Sequence, residues 1–379
     1  MSVTASIVLT TINDPVILED YYRNFAAHGQ LDQVQVFVIP DKKTPSSIFE
    51  RAAALSSRGL KVTCPSLDEQ DSYLRRIGFS PQLIPYNSDN RRNVGYLMAL
   101  ESGADFMISI DDDNFCLLDK DFFGGHKVVC DDFVTGTIVN SSTEWYNVCN
   151  LLELDRPVTT YARGFPYQFR HCSETVQSVQ GQARVLVNAG LWLKDPDVDG
   201  ISWLVNPVHS VRFKGRSVIL GAHAWSPINS QNTALHRDAI VCYYFVRMGY
   251  SLAGIPIDRY GDIFSGYFLE ACVRHMGHAV RFGTPIADHR RNSHNYMNDA
   301  ANEWACIMVL EDLLPWLTNE AALEGGTFSD TYLSLSYVLE EGIEKTSGRI
   351  WTDATRGYFH QMGYCMRQWV KACRVISGG

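Results

Sequence analysis

Three consecutive carboxylates, Asp111, Asp112 and Asp113, are the residues whose types and spacing most directly predict chemistry. They follow an apolar run over 106–110, and a strand that ends in three negative charges is unfavourable unless a cation compensates them. If the strand continues through the run, Asp111 and Asp113 point to the same side and their oxygens converge on one ion. Oxygen ligands suit Mg²⁺ or Mn²⁺, which keep positions open for substrate phosphates. A solvated acidic turn is the alternative, which we disfavour because the preceding run resembles a buried strand.

Two arginines open the helix predicted over 91–102, directly before the strand that leads to the acidic run. Free backbone N–H groups and the positive end of the helix dipole make such a terminus a natural site for anions. Arg91 and Arg92 are therefore candidates for holding a diphosphate opposite the metal. The alternative is that both are solvated residues of the first turn. Further candidates for nucleotide contacts are Thr10, Thr11, Asp111 and Asp112.

The elements that must position these residues alternate between strand-like and helix-like patterns. Helices are predicted over 16–27, 46–58 and 91–102, and apolar strands over 5–12, 34–40, 61–65, 82–85 and 104–110. This alternation predicts a doubly wound parallel sheet, whose ligands bind beyond the carboxyl ends of the strands. The acidic run lies at one such end. No Gly-x-Gly-x-x-Gly follows the first strand, which argues against a bound dinucleotide.

The later parts of the chain have a different character. The region from about 150 to 295 is mixed, and amphipathic helices are predicted over 299–317, 330–344 and 351–376. We therefore expect an α/β nucleotide-binding domain over residues 1–295 and a helical C-terminal region over 296–379.

Composition excludes several classes of protein. Of 379 residues, 46% are apolar and 20% charged, as in ordinary globular proteins. The net charge of −9 argues against a broad surface for nucleic acid. No uncharged apolar stretch approaches the roughly 18 residues that cross a bilayer, and no signal-peptide pattern opens the sequence. Because the ten cysteines include no Cys-x-x-Cys pair, we expect reduced, mostly buried thiols in a cytoplasmic protein.

Several uncommon strings, in a fixed order, make the sequence resemble the plant reversibly glycosylated polypeptides, also called UDP-arabinopyranose mutases, and their bacterial relatives. The strings extend over roughly residues 5–320 and are 92–96 (Arg-Asn-Val-Gly-Tyr), 110–115 (Ile-Asp-Asp-Asp-Asn-Phe), 161–170 (Tyr-Ala-Arg-Gly-Phe-Pro-Tyr-Gln-Phe-Arg), 190–193 (Gly-Leu-Trp-Leu) with Asp197 and Asp199, 229–237, and 259–266 (Arg-Tyr-Gly-Asp-Ile-Phe-Ser-Gly). The plant pattern has a second acidic residue where Gly261 stands, and the helical end after about 320 does not match clearly.

The resemblance implies a glycosyltransferase-A-like fold with a mostly parallel sheet, and an Mn²⁺ or Mg²⁺ cofactor. It also implies interconversion of the pyranose and furanose forms of a nucleotide sugar without flavin. Some family members become glycosylated on the arginine that corresponds to Arg163, and the second arginine of that segment corresponds to Arg170. A guanidinium stays protonated and is a poor nucleophile unless a neighbour removes its proton. We therefore expect Arg163 and Arg170 to clamp the diphosphate, with a sugar–arginine adduct as the alternative.

His289 is the predicted third metal ligand, because it follows a strand-like stretch over 279–286 and its position matches that of the family's late histidine. Histidine is a plausible ligand beside two carboxylates. An ordinary surface or core histidine is the alternative, and His294 is the substitute if the register is shifted.

The sugar side of the site is predicted from acidic and aromatic residues. Asp262 lies in a loop where such folds place an acid that faces the sugar, and it can take or deliver a proton at a hydroxyl. Asp258 is its neighbour as a sugar-binding candidate, and a helix-capping role is the alternative. Trp192, with Tyr161 and Phe165, is a candidate stacking face for the sugar, although large aromatics are more often core residues.

The sequence thus predicts a metal-dependent, flavin-independent mutase that acts on a UDP- or GDP-linked sugar. One alternative is a glycosyltransferase of the same fold that passes the sugar to an acceptor. The other is a non-catalytic sugar-nucleotide-binding subunit of a hetero-oligomer. We leave open whether the chain forms a homo-oligomer.

Overall fold

The computed structural model describes residues 2–378, which form one large sheet with helices on both of its faces and a separate two-stranded sheet. The first part contains β1 (Ala5–Thr11), α1 (Ile17–Ala27), β2 (Val34–Pro40), α2 (Ser47–Ser57), β3 (Lys61–Thr63), α3 (Leu67–Arg76), α4 (Arg92–Glu101), β4 (Phe106–Ile110), β5 (Asn114–Cys116) and α5 (Phe122–His126). The middle part contains β6 (Val134–Ser141), β7 (Leu152–Leu154), β8 (Val176–Ala183), β9 (Val185–Lys194), α6 (Gly200–Val205), β10 (Ser210–Phe213), β11 (Val218–Leu220), β12 (Asn232–His236), β13 (Tyr250–Leu252) and β14 (Ile255–Ile257). The last part contains α7 (Gly261–His275), β15 (Ala279–His289), α8 (Tyr296–Asn319), α9 (Phe328–Ile343) and α10 (Asp353–Ser377).

The sheet begins as a parallel, doubly wound half and continues as a mixed half. Its strand order is β3-β2-β1-β4-β12-β9-β15-β11-β6-β8, and the first four strands are parallel to one another. β12 runs antiparallel to both β4 and β9, whereas β15 is parallel to β9. The predicted α/β class is confirmed, and the parallel half with an acidic run at the end of β4 agrees with the glycosyltransferase-A-like fold that the resemblance implies.

The central strands are apolar throughout because both of their faces are buried. Alternate residues of β1 point to opposite sides, so Ile7 and Leu9 pack with α1 and α5 while Val8 packs with α4. Ile7, Val8 and Leu9 are each 0% exposed. This two-sided burial holds the ends of β1 and β4 side by side, which places Thr11 near the residues that follow Ile110.

Two local predictions differ from the structure. Residues 82–85 were predicted as a strand, but a short 3₁₀ turn occupies Pro81–Leu83, because proline lacks the N–H that a strand pairing needs. The helix α3 was not predicted, although Ser66 and Glu69 form a reciprocal capping box at its start. That Ser-x-x-Glu string is a recognisable signal for a helix N-terminus.

The helical C-terminal region begins at Tyr296, close to the predicted boundary, and is closely connected to the sheet. Its apolar side chains belong to the same buried cluster as those of β9 and α7. The indole N–H of Trp369 donates to the backbone oxygen of Val241 at 2.9 Å, and the Tyr358 hydroxyl donates to that of Arg247 at 3.0 Å. The division at residue 295 stays a prediction, and we propose that the helices complete one common core. Within residues 2–378, no helix combines the length and the apolarity needed to cross a membrane.

Replacing Gly266 by alanine should destabilise the protein, because α7 approaches the segment before β12 very closely at this glycine. A Cβ at position 266 would collide with the backbone oxygen of Ile228 and lie 2.9 Å from the Ile228 Cβ. Overpacking of this kind costs about 1–3 kcal/mol, which outweighs the higher helix propensity of alanine. Urea denaturation followed by circular dichroism measures the free energy of unfolding.

Gly357 in α10 provides the matched control, because a Cβ there would meet no atom within 4 Å. Gly357→Ala should raise the free energy of unfolding by about 0.5–1 kcal/mol. Equal stability of the two alanine variants would contradict the close packing of α7 against Ile228.

Candidate functional site

A cleft of about 660 Å³ opens beyond the carboxyl ends of β1, β2 and β4. One wall comes from the ends of these strands and the start of α4, and includes Thr10, Thr11, Asp41, Arg92 and Asp111–Asp113. The opposite wall comes from the mixed half of the sheet, from α7 and from the segment between β15 and α8, and includes Arg163, Asp197, Ser230, Arg259, Asp262, His289, Arg291 and His294. The predicted ligand position at the strand ends therefore coincides with the cleft.

The acidic run is a turn, so the expectation that β4 continues through it is wrong. β4 ends at Ile110, and the backbone N–H of Asn114 donates to the backbone oxygen of Asp111 at 3.2 Å. The carboxylates of Asp111, Asp112 and Asp113 consequently have three different partners instead of converging on one point. Asp111 Oδ1 lies 2.5 Å from Arg92 Nη2, and Asp112 Oδ2 accepts from the Thr11 hydroxyl at 2.5 Å.

Asp113 faces His289 across the floor of the cleft. Asp113 Oδ1 lies 3.5 Å from His289 Nε2, while His289 Nδ1 is hydrogen-bonded to the backbone oxygen of Asp195. Burial disfavours the charged ring, but the hydrogen bond and the charge of Asp113 raise the pKa of His289. Burial likewise disfavours the carboxylate, yet the hydrogen bond with His289 lowers the pKa of Asp113. The Nδ1–H contact leaves Nε2 as the ring nitrogen that is available to a cation when the ring is neutral.

The donor set of Asp113 and His289 fits a hard divalent cation that is also bound by phosphate. Two ligands at about 2.1 Å from one ion lie roughly 3–4 Å apart, which matches the observed separation. Across residues 2–378, no three His, Cys, Asp or Glu side chains form a complete metal cage. Mg²⁺ commonly uses one or two carboxylates with substrate phosphates. Asp111, the other predicted ligand, is held by Arg92 instead.

Arg91 and Arg92 are buried and bonded within the protein, so neither is a solvated first-turn residue. Arg91 donates through Nε and Nη2 to the side-chain oxygen of Gln70, at 2.9 and 2.5 Å. Arg92 Nη1 donates to the hydroxyl groups of Ser109 at 2.9 Å and Ser230 at 3.1 Å, while its Nη2 binds Asp111. Both arginines line the cleft while binding protein groups, and the Nε of Arg92 has no hydrogen-bond partner among the described residues, so their role in anion binding stays a prediction.

Arg163 lies between two carboxylates in the lining of the cleft. Its Nε and Nη2 bind Asp197 at 2.9 and 3.1 Å, and its Nη1 and Nη2 bind Asp262 at 3.0 and 2.8 Å. Nη1 also donates to the backbone oxygen of Arg259. Since a guanidinium has five N–H groups, these contacts leave none free for a phosphate.

The electrostatics of this group keep Arg163 charged. Burial disfavours the guanidinium, but the charges of Asp197 and Asp262 raise the pKa of Arg163 well above its usual value. Burial also disfavours the carboxylate of Asp197, while Arg163 and the amide of Asn229 lower its pKa. The turn that presents Arg163 depends on Gly164, which has a φ of +90° and packs against Ile263 of α7.

Three predicted site residues do not line the cleft. Arg170 binds Asp199 at 2.6 Å, with its guanidinium 3.7 Å from the ring centre of Tyr167. Trp192 is 3% exposed and part of the core. Asp258 accepts from the backbone N–H of Arg259 at 2.8 Å. Tyr161 and Phe165, the other stacking candidates, pack against each other at 4.8 Å between ring centres.

Several residues of the cleft were not predicted from sequence. Asp41 follows β2 at the same sheet edge as the acidic run, so the strand-end rule was sufficient to find it. Arg291 comes two residues after His289. Asp299 and Glu303 belong to α8 and support the wall, since Arg259 lies 3.3 and 3.0 Å from their carboxylates. Nothing local distinguishes these two acids from the solvated acids of other helices.

Comparison with known proteins identifies relatives over most of the chain. The model of the family "Reversibly glycosylated polypeptide" matches residues 66–377. Probable UDP-arabinopyranose mutase 4 of Arabidopsis thaliana is 25% identical over 326 residues, which cover 84% of this chain and 81% of the relative. UDP-arabinopyranose mutase 1 of Oryza sativa subsp. japonica is 26% identical over 301 residues, which cover 79% of this chain and 74% of the relative.

Among solved structures, glucosyl-3-phosphoglycerate synthase from Mycobacterium tuberculosis with Mn²⁺, UDP-glucose and phosphoglyceric acid gives a TM-score of 0.40. It is 11% identical and covers 85% of this chain and 83% of its own, a likeness too slight to inform the site. The family match rests on sequence and agrees with the motifs at 92–96, 110–115, 161–170 and 259–266. Because the family model spans far more than half of its residues, this chain belongs to the reversibly glycosylated polypeptide family.

Proposed function

We propose that this protein is a flavin-independent mutase that interconverts the pyranose and furanose forms of a UDP-linked sugar, with Mn²⁺ or Mg²⁺ as cofactor. The relatives named UDP-arabinopyranose mutase support this reaction and favour uracil over guanine as the base. The observation that carries the proposal is the presence of two groups in one cleft. They are the pair Asp113–His289 and the buried group Asp197–Arg163–Asp262.

The two groups suggest how the substrate lies in the cleft. Ligands of such sheets bind beyond the strand ends, so we expect the nucleoside to lie near Thr10 and Thr11, which line the cleft. Asp113 and His289 would hold the cation, which neutralises the charge that develops on the diphosphate as the C1–O bond breaks. The sugar then extends toward Asp262, on the opposite wall.

Asp262 is the residue best placed to move the proton that the isomerisation requires. In an aldopentose, the bond between C1 and the oxygen on C5 breaks, and a bond between C1 and the oxygen on C4 forms. The diphosphate leaves C1 during this exchange and bonds to it again afterwards. One proton passes from the C4 hydroxyl to the C5 oxygen, so a single carboxylate that takes it up and returns it is sufficient. Asp262 is fixed for this task by Arg163 and by the backbone N–H of Ile263, which donates at 3.0 Å.

Arg163 acts in this scheme as a positioning residue that orients Asp197 and Asp262. The sugar–arginine adduct is the second candidate, because Nη2 donates to both carboxylates. Either carboxylate can accept its proton as the nitrogen bonds to C1, the C1–O bond to the diphosphate breaks and UDP leaves. We favour the positioning role, since the same carboxylates stabilise the protonated guanidinium.

Incubation with UDP-arabinopyranose and Mn²⁺ tests the function directly. The expected product is UDP-arabinofuranose, detected by anion-exchange chromatography and NMR, with no gain or loss of mass. GDP-linked sugars should react more slowly. Release of UDP and free sugar, with transfer when an acceptor is added, would instead indicate a glycosyltransferase. Binding without any conversion would indicate a non-catalytic subunit.

The metal should bind through Asp113 and His289, so chelation should abolish turnover and Mn²⁺ or Mg²⁺ should restore it. His289→Ala should weaken Mn²⁺ binding in the presence of UDP by at least tenfold, corresponding to about 1.4 kcal/mol. Isothermal titration measures this affinity, and His278→Ala is the control because His278 does not line the cleft. Full turnover after exhaustive chelation, or equal losses in the two variants, would exclude the proposed metal site.

Arg163→Lys should keep a positive charge but lose the fork that holds both carboxylates. We expect turnover to fall by about 100-fold, because misplacement of a catalytic group by about 1 Å has an effect of this size. UDP binding should be largely retained, since Arg163 has no N–H free for phosphate. Arg170→Lys is the control and should keep most of its turnover if Arg170 acts outside the cleft.

Intact-mass spectrometry of the wild type after incubation distinguishes the two roles of Arg163. One added sugar that is absent from Arg163→Lys would establish the adduct. If the active wild type carries no added sugar, the adduct is excluded and Arg163 acts only by positioning Asp197 and Asp262. If Arg163→Lys turns over as fast as the wild type, neither the positioning role nor the adduct is correct.

A further inference from the structure

The cleft wall contains a buried arginine whose hydrogen-bonding groups are not satisfied by the protein. Arg291 lines the cleft, and its side chain is 5% exposed. Its Nη1 has no hydrogen-bond partner among the described residues, and its Nη2 lies 3.7 Å from Asp299 Oδ2, beyond hydrogen-bonding distance. Buried polar groups are nearly always paired, so this guanidinium lacks an acceptor that a ligand can supply.

Most other arginines of the cleft bind protein groups more closely than Arg291 does, although the Nε of Arg92 also has no hydrogen-bond partner among the described residues. Arg91 binds Gln70, Arg92 binds Asp111, and Arg163 binds Asp197 and Asp262. Arg259 binds Glu303 at 3.0 Å and approaches Asp299 at 3.3 Å. A planar guanidinium with unfilled N–H positions matches the oxygens of a phosphate group.

The surroundings of Arg291 place it beside the predicted cation pair. It follows His289 by two residues, and the next side chain, Asn292, approaches Asp113 Oδ2 at 3.4 Å. The guanidinium carbon lies 5.3 Å from the ring centre of Trp203 and 5.4 Å from that of Tyr296. These two rings, which stack at 10° to one another, limit the directions in which the guanidinium can move.

We infer that Arg291 is the arginine that binds the diphosphate of the substrate, in place of the arginines that the motifs suggested. The inference deepens the proposed function and rests on it for the nature of the ligand, a nucleoside diphosphate. Arg291 reaches the diphosphate from the α8 side, and Asp113 and His289 approach it from the floor of the cleft. The segment between β15 and α8 thus contributes to phosphate binding as well as to the cation site.

The test compares two adjacent arginines. Arg290 is 51% exposed on its side chain and binds Asp288 at 2.8 Å, outside the cleft lining, so Arg290→Gln removes the same charge without touching the site. Titration with inorganic pyrophosphate and with UDP, each in the presence of Mn²⁺, measures the affinity. Arg291→Gln should weaken both ligands by about tenfold or more, as expected for a lost charge-assisted hydrogen bond, and Arg290→Gln should leave them nearly unchanged.

Arg291→Lys is measured in parallel, because it keeps the charge and packs conservatively but lacks the planar fork. It should bind pyrophosphate about threefold or more weakly than the wild type, and near-UV circular dichroism verifies the fold of each variant. Wild-type affinity in any folded Arg291 variant, or equal losses in Arg290→Gln, would overturn the inference. A protein that binds pyrophosphate through Arg291 but isomerises no UDP-sugar would overturn only the proposed function.

Discussion

The architecture of the site depends on buried charged side chains, each of which must lie next to a side chain of opposite charge. Removing one partner of a buried ion pair costs about 3–5 kcal/mol, so each pair fixes the relative position of the elements that supply it. Arg92 and Asp111 connect α4 to the end of β4, and Ser230 joins them from the segment before β12. The group Asp197–Arg163–Asp262 connects the loop after β9, the 161–170 segment and α7. Ion pairs therefore fix the relative positions of the cleft walls, in addition to the packing of the apolar core.

This arrangement has a consequence for how a charged substrate is recognised. Guanidinium groups that already bind carboxylates offer little to an incoming phosphate, because their N–H groups are filled and their charge is balanced. We therefore propose that anion binding comes from a cation at Asp113 and His289 and from Arg291, whose Nη1 has no hydrogen-bond partner among the described residues. The carboxylates of Asp197 and Asp262, which Arg163 holds, line the same cleft, and in the proposed mechanism Asp262 carries the proton transfer.

The C-terminal helices contribute to the site through α8. Asp299 binds His294 at 2.9 Å and lies near both Arg259 and Arg291, while Glu303 accepts from the backbone N–H of Gly200 at 2.7 Å. α8 thus joins the segment after β15 to the start of α6. Truncation of the helical region would remove acidic partners of the cleft, in addition to apolar packing.

Some of this organisation is determined by the sequence alone. The apolar β-branched runs determine buried parallel strands, since burial on both faces selects such residues, and the position of Asp111–Asp113 after one run places them at a strand end. The motifs at 92–96, 110–115, 161–170 and 259–266 are sufficient to identify the family. Local rules could also have predicted helix α3, because its capping box lies within four consecutive residues, 66–69.

The partners of the charged residues were decided only by the tertiary structure. Local sequence patterns indicate which residues are buried and which secondary structure they form. An ion pair, however, joins residues that are distant in sequence, such as Arg163 and Asp262, so the packing of the whole fold determines which acid each arginine binds. For this reason the sequence presents Arg91, Arg92, Arg163 and Arg170 as equivalent phosphate ligands, whereas in the fold all four bind protein groups. The turn at Asp111, the acids of α8 and the incompletely hydrogen-bonded guanidinium of Arg291 likewise depend on contacts between segments that no single stretch of sequence contains.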